Sequence, residues 1–416
     1  MSTSELAKPS LILTVAVLMA MGSFAQAETV GPVTDDIGVL TIPKGAPVTV
    51  GGMWVFSGAD SALGIDSKRG AEIAFKDAGE KVAGHAIKFL VEDDQCSAEG
   101  GQTAATKLAA NPSMVGVLGS ACSSACTPAA PILWKQGIVE IGTACSAPAL
   151  TAADRKAEYG GFVRTIFSDI DQGAADAKYL FDELKARKIV TVHDGSPYAQ
   201  QLTVVTARNF TELGGTVLSR EAIAPTDVDM HPLLTRIATE KPDALYIPVF
   251  VAAAAQILRQ VKDTPGLEKT ALIGGGGLMA PDMIKAAGAS VVGFRIAYPD
   301  VSPEAMGKTY PKFIDEYKKA YGEGPVSGFH GQAYDAAQLL LKAIQRVAKT
   351  DASGATYIGR KALRDAIFAV KFDGVSGPIA CDTHGECGEF KPAVYEYTSA
   401  DPSSFAIGKN PRKIYP

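Results

Sequence analysis

Met114-Val-Gly-Val-Leu-Gly-Ser-Ala-Cys-Ser-Ser-Ala-Cys-Thr-Pro128 is an apolar run, then a turn rich in serine and cysteine, then the start of an amphipathic stretch from Pro128 to Gln136. A short apolar run bounded by turn residues reads as a buried strand, and strand, turn and helix together make one unit of an α/β alternation. Ser123 and Ser124 fall where a helix N-cap is expected, and the free amides and dipole of a helix start favour a carboxylate. The next strand, Ile138-Val-Glu-Ile-Gly142, runs into Thr143-Ala-Cys-Ser146, a second donor-bearing loop. Ligands of parallel sheets sit at the carboxyl ends of strands, so two such loops on neighbouring strands predict an anion pocket. Ordinary helix capping is the alternative reading of the serines.

The alternation extends in both directions. Upstream lie strands at Val48 to Val55 and Ile87 to Glu92, with helices at Ser67 to Lys76 and Gly101 to Ala110, after a loose lead from Glu28 to Pro47. Downstream the pattern restarts, with strands at Ile189 to His193, Thr216 to Ser219, Ala244 to Val249 and Thr270 to Gly274. The helices between them are Gln172 to Ala186, Tyr198 to Leu213, Pro232 to Glu240 and Ala252 to Lys262. Two parallel-sheet units follow, with a change of unit near residues 165–170. Helices at Glu304 to Tyr321 and Gly331 to Ala348 have no matching strands. They cannot bury themselves alone, which predicts that they return to the first unit, so that the chain crosses between lobes more than once around a hinged cleft.

The whole chain has 416 residues, 47% hydrophobic and 20% charged, and a formal net charge of −5. That balance excludes a disordered or fibrous protein and allows two or three domains. Without a basic run, neither nucleic acid nor an anionic membrane surface is an expected partner. Residues 1–27 read as a cleaved secretory signal peptide: Lys8, an apolar stretch from Leu11 to Met21, and Ala25-Gln-Ala27 as the cleavage site. The stretch is too short to span a bilayer. A soluble periplasmic protein with no membrane span in its mature part is expected. Export gives meaning to six cysteines. Cys381 and Cys387 bracket a turn, and Cys96, Cys122, Cys126 and Cys145 cluster. Only Cys122 and Cys126 have a zinc-like spacing, with no histidine nearby, so three disulfides are favoured over a metal site.

Catalytic signatures are missing. The five histidines fall in no metalloprotease or deaminase spacing, and no nucleophile elbow or Walker loop occurs. His193-Asp194 ends a strand but lacks a positioned nucleophile, and reads as structural or cleft-lining. Gly274-Gly-Gly-Gly-Leu-Met-Ala280 resembles a dinucleotide loop, yet it lies late in the chain and Pro281 follows at once, so a glycine turn at a cleft is preferred. No enzyme activity, cofactor or metal is expected.

Taken together, Trp54-Val-Phe-Ser-Gly58, Val91-Glu-Asp-Asp-Gln-Cys96, Gly119 to Ser124, Ser146 to Thr151, Phe162-Val-Arg-Thr165, His193 to Tyr198, Ala333-Tyr-Asp-Ala-Ala337 and Phe372 to Gly377 resemble the branched-chain (Leu/Ile/Val) amino acid-binding type of ABC-transporter solute-binding protein. The resemblance implies a type I periplasmic binding protein, an α/β fold of two Rossmann-like lobes joined by a three-strand hinge. The first lobe would comprise residues 47–166 and 299–392, the second 167–298 and 393–416. It also implies a Cys96 to Cys122 disulfide, a ligand carboxylate held at Ser123 and at Ala144-Cys145-Ser146, and a side-chain pocket position at Leu63. Tyr198 and Phe250 would close over the solute from the second lobe. Pairing of the remaining cysteines is left open, with Cys126 to Cys145 the remaining local choice.

One position departs from the family. Amino-acid binders of this type pair the ligand ammonium with an acidic residue where this chain has Gly276. Either Asp194 or Asp227 replaces it, or the solute has no ammonium. The expectation is a monomeric, non-enzymatic receptor that captures a small carboxylate-bearing apolar solute by hinge closure and delivers it to an inner-membrane ABC permease. By family the solute is a branched-chain or other hydrophobic amino acid. The alternatives are an aromatic or aliphatic carboxylic acid, or service as a ligand sensor for a membrane receptor.

Overall fold

The computed structural model describes residues 27–416; the leader expected over residues 1–27 lies outside them except for Ala27. None of the described helices is long and apolar enough to cross a membrane. Strand Val48–Trp54 is buried along its whole length and pairs in parallel with His85–Asp93 on one side and Met114–Gly119 on the other. Val139–Gly142 and Phe162–Arg164 extend the sheet in parallel, and Lys81–Val82 closes its far edge antiparallel, giving six strands. Such apolar strands need cover on both faces. Ala104, Ala105 and Leu108 of Ala98–Ala109 join Ala129 and Leu133 of Ser123–Trp134 in one core. A second core holds the helices Ser61–Asp77 and His330–Val347.

The second sheet has seven strands in the order Thr216–Ala222, Lys188–His193, Ala244–Tyr246, Ala271–Gly274, Arg295–Pro299, Pro392–Glu396, Arg412–Tyr415. Its first four junctions are parallel and the last two antiparallel. The chain passes between the sheets three times, after Arg164, after Pro299 and before Pro392. These passages lie side by side: Asp300 donates its amide to the Lys391 carbonyl at 2.7 Å and Cys387 to that of Arg164 at 3.0 Å.

The late helices do return to the first sheet. Asp66 of Ser61–Asp77 accepts hydrogen bonds from the Tyr317 hydroxyl and the Phe329 and His330 amides, and lies 2.9 Å from His330 Nδ1. The buried Asp66, Tyr317 and His330 fasten the late helices to the first helix and fix Phe329.

Several expectations need correction. The expected Glu304 to Tyr321 helix forms only over Tyr310–Tyr321, because Pro311 lacks an N–H and is tolerated only in a first turn. The helix expected from Pro128 begins at Ser123 and carries Pro128 and Pro131 inside it. Its N-cap is Cys122, so Ser123 and Ser124 are the first helical residues rather than caps. The lead is not loose: Glu28–Val30 pairs with Val33–Asp35, and Val39–Ile42 with Thr356–Gly359. Helix Arg360–Ala369 and the strands Phe162–Arg164 and Arg295–Pro299 were not expected as elements.

Candidate functional site

At Gly119 the strand ends with φ +117°, a conformation open to glycine, and the chain turns into the Ser123–Trp134 helix. Two disulfides brace this turn. Cys96–Cys122 ties the helix N-cap to the loop after His85–Asp93, and Cys126–Cys145 ties the helix to the loop after Val139–Gly142. Cys381–Cys387 closes the turn that these two residues bracket. Cys122 and Cys126 thus serve different bridges, which ends the zinc reading.

Peptide geometry sets what the 145–147 loop presents. Arg164, fully buried, donates to the carbonyls of Cys145 and Ala147, both at 2.9 Å, and is itself paired with Glu386. The amide of Ser146 is trans to the Cys145 carbonyl, so it points away from Arg164. Among the described residues it meets no acceptor. The Ala147 amide donates to Ser123 Oγ at 3.1 Å, which leaves the Ser123 proton free to donate elsewhere. Together with the uncapped start of a twelve-residue helix, these groups form a neutral donor set suited to a carboxylate.

The donors open onto a narrow cleft between the lobes. Leu63, Ser123, Ala144 and Ser146 line it from the first lobe, and Gln172, Tyr198, Phe250, Gly276 and Tyr298 from the second. Phe329 and the crossing residues Ile166 and Phe167 complete the apolar wall. The cleft therefore collects Leu63, Ser123, Ala144, Ser146, Tyr198, Phe250 and Gly276. Cys145 stands apart: its side chain is sealed in the Cys126 bridge, packed beside Ala147 and Phe162, and only its backbone borders the loop. Sequence reading missed Gln172, Tyr298, Phe329 and Phe167 as site residues; the motif Phe162-Val-Arg-Thr165 stops two residues short of Phe167, and Gln172 entered only as the start of an expected helix.

Gly276 is explained by its neighbour. A Cβ there would lie within 2.6 Å of Tyr298 Cε2 and closer still to Cδ2, so the tyrosine ring fills the space that a side chain at 276 would take. Neither acid suggested as a substitute reaches the cleft. Asp194 is spent on the Ser196 amide and hydroxyl (3.0 and 2.6 Å) and on the Phe250 amide (3.4 Å), and exposed Asp227 caps the Ala224 amide. His193 accepts from the Gly195 amide, so the His193-Asp194 pair organises a turn. The Gly275 side of the glycine loop is likewise occupied, by the Tyr198 hydroxyl, which leaves no cradle for a pyrophosphate.

One acid does lie close. Asp169, fully buried at the start of helix Asp169–Lys178, donates its amide to the Ser146 carbonyl at 2.9 Å, while both its carboxylate oxygens lack a partner of normal geometry. Burial pushes its carboxyl up to about 7, against the pull of the Ser146 hydroxyl and Arg164.

Residues 47–397 match the family model described as periplasmic binding protein. The chain belongs to this family. It is 28% identical to the Leu/Ile/Val-binding protein of Escherichia coli (strain K12) over 343 residues, covering 82% of this chain and 88% of that one. Among solved structures it is similar to a leucine-binding protein from Thermotoga maritima (TM-score 0.76, 26% identity, 85% of this chain and 96% of that one). It also resembles a solute-binding protein from R. palustris in complex with benzoate (TM-score 0.71, 23% identity, 89% and 95% covered). The fold is the type I periplasmic binding protein fold, two α/β lobes joined by three crossings, and the relatives are solute receptors.

Proposed function

We propose that this chain is an exported receptor that captures a small apolar carboxylic acid lacking an ammonium group, by closure of its two lobes, and hands it to an inner-membrane ABC importer. The leader at residues 1–27 supports export, and the family supports the importer. One observation carries the choice of solute: the Tyr298 ring stands where amino-acid binders of this type hold their acidic residue, beside Gly276. The donor set at Ser123 and Ser146 is retained, and the aromatic wall suits a ring. A buried ammonium facing Tyr298 rather than a carboxylate would be costly.

A second reading is favoured by Asp169, whose unpartnered carboxyl beside Ser146 offers a partner for an ammonium. On that reading the solute is a branched-chain or other hydrophobic amino acid. A role as ligand sensor would use the same cleft and differ only in the membrane protein that reads the closed form.

Thermal-shift measurements separate the solutes, since a ligand at 100 times its Kd stabilises by about 2.7 kcal/mol. The expected result is a rise in Tm with benzoate-class acids and none with leucine, valine or phenylalanine. The opposite pattern would overturn the proposal in favour of the second reading.

A further inference from the structure

Enclosed tyrosine hydroxyls in this molecule have partners. Tyr246 donates to Asp176 (2.5 Å), Tyr317 to Asp66 (2.9 Å) and Tyr397 to the Leu278 carbonyl (2.7 Å), and Tyr310 meets His330 Nε2 (2.8 Å). Among the described residues two depart from this pattern. The hydroxyls of Tyr198 and Tyr298 are sealed from solvent without a partner of normal geometry, a state that native structures rarely leave unanswered. Both residues line the same cleft.

Their surroundings explain why no side chain answers them. The Tyr198 oxygen lies over Gly275, and the Tyr298 ring is flanked by Gly276 and by Gly328, whose Cβ would lie 2.6 Å from the Tyr298 hydroxyl. Their aromatic neighbours are Phe250 (centroids 5.8 Å from Tyr198) and Phe329 (5.3 Å from Tyr298), which accept no strong hydrogen bond. The Gly276 amide lies near the Tyr198 oxygen and can occupy one of its lone pairs, which leaves the O–H proton free, and both tyrosines border the cleft, from which an acceptor would come. Tyr198 and Tyr298 belong to the second lobe, on helix Pro197–Glu212 and strand Arg295–Pro299, and line the same cleft as the Ser123 and Ser146 donors of the first.

We propose that the captured solute carries a second oxygen at the end away from its carboxylate, as a ring hydroxyl, methoxyl or carbonyl, and that Tyr198 and Tyr298 bind it. The inference rests on the reading of Ser123 and Ser146 as the carboxylate site. Each tyrosine supplies one O–H, and an oxygen with two lone pairs accepts both. A methyl group of similar size in the same place would leave both protons unmatched.

Titration calorimetry with benzoate, 3- and 4-hydroxybenzoate and the matching methylbenzoates tests this. At one of the two ring positions the hydroxyl compound is expected to bind at least about 10-fold more tightly than its methyl counterpart, and that ratio should fall to about 2-fold in Tyr198→Phe/Tyr298→Phe. Each single variant, checked for a cooperative melt, should give an intermediate ratio. Equal binding of hydroxyl and methyl compounds at both positions, or a ratio that survives in the double variant, would overturn the inference while benzoate binding kept the carboxylate reading intact. Binding of leucine with no binding of any of these acids would remove both.

Discussion

Asp60 of the first lobe accepts the backbone N–H of Val251 in the second, at 3.1 Å. Asp60 is the N-cap residue of helix Ser61–Asp77, but its side chain makes no capping bond there. It serves instead the start of helix Val251–Val261, whose own N-cap, Phe250, has no side chain able to do so. In a second contact between the lobes, the Ala149 amide of the first donates to Gln201 of the second at 3.1 Å. Lobe closure is thus fastened by a carboxylate lent across the cleft to a helix dipole.

That arrangement sets a pH dependence. Burial, with Asp194 and Asp282 adding like charge, pushes the Asp60 carboxyl up to about 6, against the pull of the Val251 amide. Opening the lobes would return it toward the ordinary value of about 4. A group whose closed-state pKa is raised favours closure most below its open-state value, and that contribution is lost as pH rises through the closed-state value. The Asp60 contribution to solute affinity is therefore expected to weaken between about pH 4 and 6 and to be constant above. Asp60→Asn keeps an acceptor for Val251 without the titration. Calorimetry from pH 5 to 7.5 should show a flatter profile in the variant, and an identical slope in both proteins would exclude Asp60 as its source.

The Ser123 and Ser146 pair carries the next expectation. Hydrogen bonds to a charged group contribute about 1.5–3 kcal/mol each, and the backbone amides would remain in the double variant. Ser123→Ala with Ser146→Ala should weaken a carboxylate solute by about 2–4 kcal/mol, some 30-fold to 1,000-fold in Kd. Ser123 also accepts the Ala147 amide, so its loss should cost a little stability as well. Unchanged affinity in a double variant that melts cooperatively would place the carboxylate elsewhere.

Much of this site is legible in the sequence. The longer apolar runs marked four strands in each sheet, and the serine-rich turn after Gly119 announced donors because so few other roles suit free amides at a helix start. The error at that turn was one of register. Proline inside a helix normally argues against it, so Pro128 drew the expected start five residues too late, and Ser123 became a cap instead of the first helical residue. Tyr298 was beyond reach for a different reason. It stands on a five-residue strand at the change from parallel to antiparallel pairing, and its meaning comes from Gly276, 22 positions earlier, through a contact that only the folded chain creates. Arg164 likewise reads as one charged residue in a short motif, and its hold on two carbonyls of the ligand loop depends on tertiary packing.

The Gly276 and Tyr298 contact can be tested by its coupling. Gly276→Ala places a methyl group against the Tyr298 ring in a wall that has no slack, and overpacking of this kind costs about 1–3 kcal/mol. The variant should melt at a lower temperature and bind a benzoate-class acid more weakly, because the ring can yield only into the cleft or toward Gly328. Tyr298→Ala alone should also lower both, by opening a cavity and removing aromatic wall. When the two are combined, the clash disappears, so the double variant should lose less than the sum of the singles by more than about 0.5 kcal/mol. Denaturant melts of the four proteins give that coupling energy directly. Strict additivity would mean that the ring does not guard position 276, and the argument for a solute without an ammonium would lose its main support.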